Sequence, residues 1–342
     1  NKDMNSRPLN KQDLTNEIKA EALRLGFFAC GIAEAAPVEK ATADHVKRWL
    51  KKGNHANMDY MANHTDKRLD PRLLMTGARS IICVALNYAP HATFPDGEYQ
   101  LAAYAIGLDY HDIMKEKLRQ LAAKFGYEDA LFSQNAKWKC RIFADTGPVL
   151  ERYWAEKAGL GWTGKNHQLI IPHAGSMFFL GELIVDEELV YDSPMENRCG
   201  NCRRCIEACP TKAITEGHEM NAARCLSYQT IENKSALSKD IIVEMGNTIY
   251  GCDRCLKACP WNRFATPNDI PELQPKAELL EMTKQQWENL TEEEYRKLFK
   301  GSAVKRAKYV GLMRNIQAVA CHSQEKQLPL PLKMKNNEQE SK

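Results

Sequence analysis

The sequence predicts an α/β unit, followed by a cysteine-rich unit and a helical C-terminal segment. Patterns typical of strands and helices alternate over roughly the first 190 residues. Eight of the twelve cysteines lie between Cys199 and Cys259, and the chain becomes polar and helical after Trp261. We therefore expect a disordered leader at 1–10, an α/β domain at 11–190, a cysteine-rich domain at 191–265 and a helical segment at 266–342.

The elements of the α/β unit follow one another in a regular order. Apolar residues at helical spacing indicate the helices, and Gly26 and Gly126 stop two of them. Pro148 suits the first position of a helix. We predict helices at 11–25, 41–52, 55–64, 111–125 and from Pro148, and strands at 27–35, 80–88, 140–145, 167–172 and 176–186, with a turn-rich connection at 67–80.

The composition limits the class of protein. Lys and Arg total 47 and Asp and Glu total 44, so the net charge of +3 does not by itself announce a nucleic-acid binder. No apolar stretch approaches the ~20 residues of a membrane helix, and no secretory signal opens the chain. We expect a cytoplasmic monomer with no membrane partner.

Two cysteine runs carry the strongest signal in the sequence. Cys199, Cys202, Cys205 and Cys209 are spaced C-x2-C-x2-C-x3-C and are followed by proline, as in bacterial ferredoxins that hold cubane iron–sulfur clusters. Cys252, Cys255 and Cys259 repeat the end of this run, and Cys225 between the runs restores the count to eight. In such pairs the last cysteine of each run ligates the other cluster. The spacing predicts one cluster on Cys199, Cys202, Cys205 and Cys259, and a second on Cys209, Cys225, Cys252 and Cys255.

A pair of zinc knuckles is the alternative, because zinc sites also use C-x2-C pairs. Zinc does not require a third cysteine two residues further on, nor two Cys-Pro endings. Iron–sulfur clusters are therefore favoured. The scattered cysteines Cys30, Cys83, Cys140 and Cys321 are expected to be small buried apolar residues.

The α/β unit should hold the group that accepts electrons from the clusters. The sequence contains no G-x-G-x-x-G after a strand, so a dinucleotide fold has no support. The D-x-H-x-x-G signature of one cobalamin-binding class starts at Asp109 and His111 but fails, because Met114 occupies the glycine position.

Several segments in the same order resemble the epoxyqueuosine reductases, cobalamin-dependent enzymes that modify tRNA and are related to reductive dehalogenases. They are KRLDPRLLMTGARSII, GLDYHD, DTGPVLERYWAEKAGLGWTGKN, RCLSYQTIE and YGCDRCLKACPWN. The resemblance implies a cobalamin-binding α/β domain packed against a ferredoxin-like unit with two [4Fe-4S] clusters. It also implies reduction of the epoxide of epoxyqueuosine in a tRNA anticodon, with electrons from a low-potential donor.

The resemblance also implies roles for individual residues. The family's proton donor falls on Asp145. Many members carry a C-terminal array of helical repeats, and we expect none in this chain. The positions that match corrin-lining residues of the family, besides Asp145, are Arg68, Lys165, Asn166, Leu169, Leu180, Ser227 and Asp253.

Simpler interpretations exist for these residues. Asp145 could be a helix N-cap before Pro148, whereas the acid role requires an apolar site that raises its pKa. The glycine-rich 158–166 could be a helix C-cap and turn. Trp162 and Trp261 are expected to be packing residues, and His111 a structural hydrogen-bonding residue.

Residues 295–314 contain seven Lys or Arg and no Asp or Glu. They could form a solvated basic helix or, with Tyr295, Phe299 and Tyr309 interleaved, a track for RNA phosphates. A reductive dehalogenase-like enzyme acting on a small molecule, an electron carrier and a corrinoid-handling protein are the rival functions. The basic stretch and the large α/β unit favour the tRNA-modifying reductase over all three.

Overall fold

Short helices and strands make up most of the chain, and the computed structural model describes residues 10–133, 135–217 and 219–327. The strands are Ala29–Glu34 (β1), Ser80–Asn87 (β2), Gln100–Leu101 (β3), Tyr127–Asp129 (β4), Trp138–Phe143 (β5), Trp162–Thr163 (β6), Leu169–Ile170 (β7), Phe178–Val185 (β8) and Thr248–Tyr250 (β9). The α-helices are Lys11–Arg24 (α1), Lys40–Lys51 (α2), Thr65–Leu69 (α3), Tyr110–Lys124 (α4), Glu151–Lys157 (α5), Arg204–Glu207 (α6), Leu226–Ile231 (α7), Lys239–Met245 (α8), Arg254–Lys257 (α9), Ala277–Leu280 (α10), Lys284–Glu288 (α11), Glu292–Leu298 (α12) and Lys308–Gln327 (α13).

A five-stranded sheet with the order β1-β2-β8-β5-β4 forms the centre of the N-terminal part. Neighbouring strands are antiparallel except β4 and β5, which are parallel. The long strands β2 and β8 are buried on both faces because helices cover the sheet on each side. The predicted mixed α and β class is confirmed, and its sheet is mostly antiparallel.

Successive residues of β8 point to opposite faces of the sheet. Leu183 packs with Ile18 of α1 and Leu118 of α4 on one face, and Ile184 packs with Trp154 of α5 on the other. Burying each such side chain stabilises the fold by about 1.5–3 kcal/mol. The α5 face matters most for the site described below.

A separate core links the C-terminal helices to a segment of the N-terminal part. Strand β3 pairs in parallel with β9, and Tyr99 and Ile106 pack with Trp287 and Leu312. The cysteine loops contribute a small cluster in which Cys209 and Ile214 are buried. Residues 94–106 are therefore part of the core that the C-terminal helices form.

Several sequence predictions of local structure were wrong. Instead of a helix at 55–64 there is one 3₁₀ turn, Asp59–Met61, because Ala56 and His64 both adopt left-handed backbone angles. The helix predicted from Pro148 begins at Glu151. Cys321 is exposed rather than buried.

The other outcomes concern the scattered cysteines and the chain ends. Cys83 and Cys140 are buried as expected, and Cys30 is half-buried. The predicted leader at 1–10 lies outside the described residues except for Asn10, which caps α1. Of the helical segment predicted at 266–342, α13 continues to Gln327, and 328–342 lie outside the described residues. Within the described ranges, no helix combines the length and apolarity needed to cross a membrane.

Candidate active site

Asp145 lies on a tight turn just beyond the end of β5. Its φ of 58° is left-handed, a conformation that Asp tolerates better than most residues. Gly147 is required in this turn, because a Cβ there would lie 2.2 Å from the ring of Phe143. The Asp145 side chain is 56% exposed, so a substrate could reach it.

The side chain of Asp145 does not cap a helix. Helix α5 has Leu150 at its N-cap position, so the interpretation of Asp145 as its cap is wrong. The carboxylate instead accepts a hydrogen bond from the Tyr110 hydroxyl at 2.5 Å, and His111 Nε2 lies 3.3 Å from the same oxygen. The backbone N–H of Asp145 donates to Glu151 Oε1 at 2.5 Å.

Tyr110 and His111 reach Asp145 because they begin helix α4. Asp109 is the N-cap of this helix, and its carboxylate accepts from the His111 backbone N–H. The same oxygen lies 2.6 Å from His111 Nδ1, so the imidazole is held between Asp109 and Asp145. His111 is thus a hydrogen-bonding residue, as predicted from sequence, but the sequence did not reveal that Asp145 is its partner.

Protons in this group are held mainly on His111. Burial alone would lower the pKa of His111, but hydrogen bonds to Asp109 and Asp145 and the charges of both raise it to about 9. Burial raises the pKa of Asp145, and the hydrogen bonds from His111 and Tyr110 outweigh this and leave it lowered. The raised pKa expected of Asp145 depends on an apolar site, and in this structure the Tyr110 hydroxyl and the His111 imidazole contact the carboxylate instead. At neutral pH the imidazole carries the proton and Asp145 is ionised.

A cavity of about 110 Å³ opens beside Asp145. This volume has room for a few waters or a reacting group, and is below the ~300 Å³ at which ligand pockets begin. A corrin ring would have to lie outside it. The cavity is lined by Tyr110, Asp145, Glu151, Arg152, Gln168, Leu169, Ser176, Phe178, Phe179 and Leu180.

Two glutamates near the cavity were missed by sequence reasoning. Glu151 starts α5 and is half-buried, and Glu182, in the middle of β8, is fully buried. Burial and the neighbouring Asp145 charge raise the pKa of Glu151 to about 7. The sequence carried a signal for Glu182, because it is the one charged residue inside the apolar run FFLGELIV.

Tyrosines surround Asp145 on its other side. Tyr104 and Tyr60 lie near enough that the Asp145 charge raises the pKa of both hydroxyls, after the larger effect of burial. The Tyr60 ring also lies 5.8 Å from the Arg306 guanidinium. Tyr60 therefore connects the active site to the basic segment near the C-terminus.

The eight clustered thiols fall into two neighbouring groups. Burial raises the pKa of Cys205, and the charges of Cys259, Cys199 and Cys202 raise it further. Burial likewise raises the pKa of Cys255, with further effects from Cys252, Cys225, Cys209 and then Cys205. In the described residues, no three His, Cys, Asp or Glu side chains converge closely enough to hold a single metal ion.

The residues expected to line a corrin do not all meet at the cavity. Leu169 and Leu180 line it together with Asp145. Lys165 Nζ instead donates to the carbonyls of Gly200 and Cys202, at 2.7 and 3.0 Å, and so braces the first cysteine loop.

The remaining four lie on other segments. Asn166 approaches the Cys255 carbonyl at 3.5 Å, and Asp253 accepts from the Ala103 backbone N–H at 2.7 Å. Arg68 is buried on α3 and donates to the Tyr60 carbonyl at 3.0 Å. Ser227 lies half-buried on α7.

The glycine-rich segment and its tryptophans serve packing. Helix α5 ends at Lys157, Gly159 turns the chain with a φ of 75°, and β6 and β7 then pair. Trp162 is fully buried, and its ring meets the Trp261 ring edge-on at 4.9 Å. Both rings pack against each other, as predicted, and Trp162 Nε1 has no hydrogen-bond partner among the described residues.

The basic stretch at 295–314 is only partly available to a ligand. Tyr295 and Phe299 are buried core residues, so the idea that they interleave with RNA is wrong. Tyr309 is half-buried and donates to the Leu290 carbonyl at 2.8 Å. The aromatic residues of this stretch are spaced as in the buried face of a helix, and the sequence alone could not distinguish such a face from a surface that stacks on bases.

Two arginines of the stretch have structural partners. Arg306 forms a bidentate ion pair with Glu232 at 2.8 and 2.9 Å. Arg314 donates to the backbone carbonyls of Asn233, Ser235 and Gln229. Within the stretch 295–314, which lies entirely in the described residues, the exposed cations that form no ion pair are Lys297, Lys300, Lys305 and Lys308.

Two family models match the chain. A model described as "4Fe-4S double cluster binding domain" matches residues 198–262, and one described as "Epoxyqueuosine reductase QueG, DUF1730" matches residues 68–146. The first covers both cysteine runs, and the second ends just beyond Asp145.

Known proteins match over most of the chain. An epoxyqueuosine reductase of Cellulophaga algicola is 44% identical over 90% of this chain and 98% of its own length. The epoxyqueuosine reductase of Escherichia coli is 38% identical over 91% of this chain and 82% of its own.

Solved structures of epoxyqueuosine reductases also match the chain. An epoxyqueuosine reductase crystallised with an epoxyqueuosine-modified tRNA-Tyr stem loop matches with a TM-score of 0.79 and 26% identity, over 90% of this chain and 81% of that one. The Bacillus subtilis enzyme, seen with an aspartate-bearing catalytic loop swung out of the active site, matches with a TM-score of 0.79 and 27% identity, over the same shares.

Proposed function

The chain belongs to the epoxyqueuosine reductase family, and we propose that it reduces the epoxide of epoxyqueuosine in tRNA anticodons, giving queuosine. The observation that carries the proposal is the hydrogen-bonded group Tyr110–Asp145–His111 on the wall of a cavity. This group places a proton beside a site that can admit a small reacting group. A relative bound to an epoxyqueuosine-modified stem loop supports the choice of substrate.

Breaking an epoxide C–O bond leaves an alkoxide, which must be protonated. Asp145 delivers that proton, because it is the acidic side chain that is both hydrogen-bonded to the proton store and exposed to the cavity. The imidazolium of His111 passes its proton to Asp145 at Nε2, while Asp109 holds Nδ1. Tyr110 keeps its own proton, because burial and then the Asp145 charge raise its pKa.

Cobalamin is the proposed electron-delivering cofactor, and two features of the chain suit it. Arg68 Nε and Trp162 Nε1 are buried donors with no hydrogen-bond partner among the described residues. Such donors suit the amide-rich periphery of a corrinoid, since unpaired buried polar groups are costly. The other proposed contacts are Asp145, Lys165, Asn166, Leu169, Leu180, Ser227 and Asp253. When bound, cobalamin supplies two electrons to the epoxide.

Eight cysteines would hold two [4Fe-4S] clusters, which would supply the electron path to the cofactor. The proposed ligands are Cys199, Cys202, Cys205 and Cys259 for one cluster, and Cys209, Cys225, Cys252 and Cys255 for the other. The mutual effects of the thiols within each set support this division. The electron donor, a cytoplasmic location and a monomeric state stay predictions.

The tRNA backbone is proposed to follow the exposed lysines near the start of α13. Burial lowers the pKa of Lys234, the charge of Glu232 opposes this, and Arg306, Arg314 and Lys308 lower it further, so three cations and one carboxylate surround Lys234. Arg306 contacts Tyr60, which lies near Asp145. A strand held on these cations would thus lie next to the catalytic turn, and an anticodon loop presents its bases unpaired.

The test uses reconstituted protein and a stem loop that contains epoxyqueuosine. The expected result is conversion to queuosine that requires cobalamin and reductant, with eight irons and one cobalamin per chain. Conversion of an aryl halide, with the stem loop untouched, would favour the dehalogenase alternative. Four irons, or zinc in their place, would contradict the two-cluster proposal.

A further inference from the structure

Glu182 is a buried carboxylic acid, and its surroundings disfavour the ionised form. It lies in the middle of β8 with 0% exposure, opposite Cys83 of β2 and Phe143 of β5. It shares the α5 face of the sheet with Ile184. Burying an unpaired carboxylate among such residues costs several kcal/mol, so the group takes a proton instead.

The neighbouring titratable group that acts most strongly on Glu182 is another acid, Glu151. Neither carboxyl oxygen of Glu182 has a hydrogen-bond partner among the described residues. Glu151 comes close because α5 packs across β8 and because Glu151 Oε1 holds the N–H of Asp145, two residues beyond the strand partner of Glu182, Phe143. Two carboxylates repel each other unless a proton lies between them, so this contact requires that at least one of the two is protonated.

This acid pair is next to the catalytic turn. Glu151 lines the same cavity as Asp145 and accepts the Asp145 backbone N–H through Oε1 at 2.5 Å. The cavity of about 110 Å³ exceeds the ~30 Å³ that a water occupies in the liquid, so water could bridge the two side chains.

The proposed reaction needs a second proton. Reduction of an epoxide to an alkene consumes two electrons and two protons: both C–O bonds break, a C=C bond forms, and oxygen leaves as water. Asp145 protonates the oxygen when the first C–O bond opens. The hydroxyl can then leave as water only if Asp145 is protonated again, and the imidazolium of His111 holds one proton for both steps.

We propose that the Glu151–Glu182 pair is the second proton store of the active site and recharges Asp145 through Glu151. This inference rests on the proposed function. Glu182 stays protonated and donates to Glu151, which stabilises the Glu151 carboxylate after it has given up its proton. The electrons come from the reduced cofactor, which is oxidised by two electrons per turnover.

The charged groups around the pair support the division of roles. Burial and then the charge of Asp145 raise the pKa of Glu151 to about 7, while the charges of Arg152 and His111 oppose this rise. A pKa near 7 suits a proton donor at neutral pH. Glu182 faces Glu151, Asp145 and the Cys83 thiol, with no cation among the groups that act on it. Burial first, and then Glu151, raises the pKa of Glu182 far above its usual range.

The experiment compares Glu151→Gln with wild type in single turnover of the modified stem loop from about pH 6 to about pH 9. This range includes the pKa of Glu151, about 7, and reaches that of His111, about 9. Gln keeps an acceptor for the Asp145 N–H but has no proton to give. Wild type should lose rate as pH rises through about 7. Glu151→Gln should be slowed by about a hundredfold and lack that limb. Glu156→Gln is the matched control, since Glu156 lies on the same helix and accepts from Thr163 N.

An infrared measurement tests the shared proton without turnover. Wild type at about pH 9, where Glu151 is ionised because its pKa is about 7, should show the carbonyl band of a buried protonated carboxylic acid, and Glu182→Gln should lack it. Absence of this band in wild type would overturn the proposal, as would a Glu151→Gln variant with wild-type rate and pH profile. If wild type makes no queuosine, the proposed function fails, and the infrared band still decides whether the pair holds a proton.

Discussion

Replacing Asp145 with Asn separates proton delivery from positioning. The amide is close in shape to the carboxylate and can still accept from the Tyr110 hydroxyl, which now donates at 2.5 Å. It carries no charge for His111 and no acidic proton. Removing the charge also lowers the pKa of His111, because Asp145 is one of the two carboxylates that raise it to about 9. The variant therefore has no carboxyl group to donate a proton, and a smaller fraction of its His111 side chains is protonated at neutral pH.

The expected loss is set by general acid catalysis, which typically contributes about 10² to 10⁴ in rate, or roughly 3 to 5 kcal/mol of barrier. We predict that Asp145→Asn folds, holds both clusters and cobalamin, and slows stem-loop turnover by at least about a hundredfold. Rates are measured in single turnover, so that product release does not mask the chemical step. Glu156→Gln, on the neighbouring helix, serves as the matched carboxylate-to-amide control.

Cobalt reduction is followed separately by absorption, since electron transfer does not need the carboxyl proton. If cobalt reduction fails along with turnover, Asp145 shapes the cofactor site and does not donate. If turnover stays within a few-fold of wild type in a folded variant, the acid is another residue and the argument from the Tyr110–Asp145–His111 group is refuted.

Three further predictions concern the clusters, the tRNA surface and stability. Cys225→Ser should damage one cluster selectively, seen as lost iron and altered spectra; full iron content would remove Cys225 from the ligands. Lys305→Gln with Lys308→Gln should weaken stem-loop binding and lower the slope of log K against log salt by about one unit or less per lost phosphate contact, whereas Lys124→Gln should not. Protonated His111 should contribute at most roughly 3 kcal/mol to the unfolding free energy, fully present below about pH 6.5 and lost as pH rises through about 9, because the fold favours the charged imidazole. His111→Gln should lack this part of the fall, and a difference between the two curves that does not change with pH would contradict it.

Patterns that repeat along the chain were predictable from sequence. The cysteine spacing identified both clusters, because a cubane takes three thiolates from one short loop. Helices α1 and α4 and strands β1, β2, β5 and β8 were found by their apolar patterns, because each buries one face or both. Helix α2 was also found, although none of its residues is fully buried. Where left-handed residues such as His64 interrupt the chain, periodicity gave a false helix.

The sequence by itself determined the family and the cluster motifs, since each depends on residues close together in the chain, and the family resemblance pointed to Asp145. Only the tertiary structure showed that His111 lies between Asp109 and Asp145, that α5 brings Glu151 to β8 and Glu182, and that Tyr295 is core rather than a stacking surface. Glu182 meets Glu151 because α5 packs across β8, and His111 meets Asp145 because α4 begins beside the end of β5. A pKa depends on charges and burial in space, so residues distant in sequence set it, and no local pattern records them.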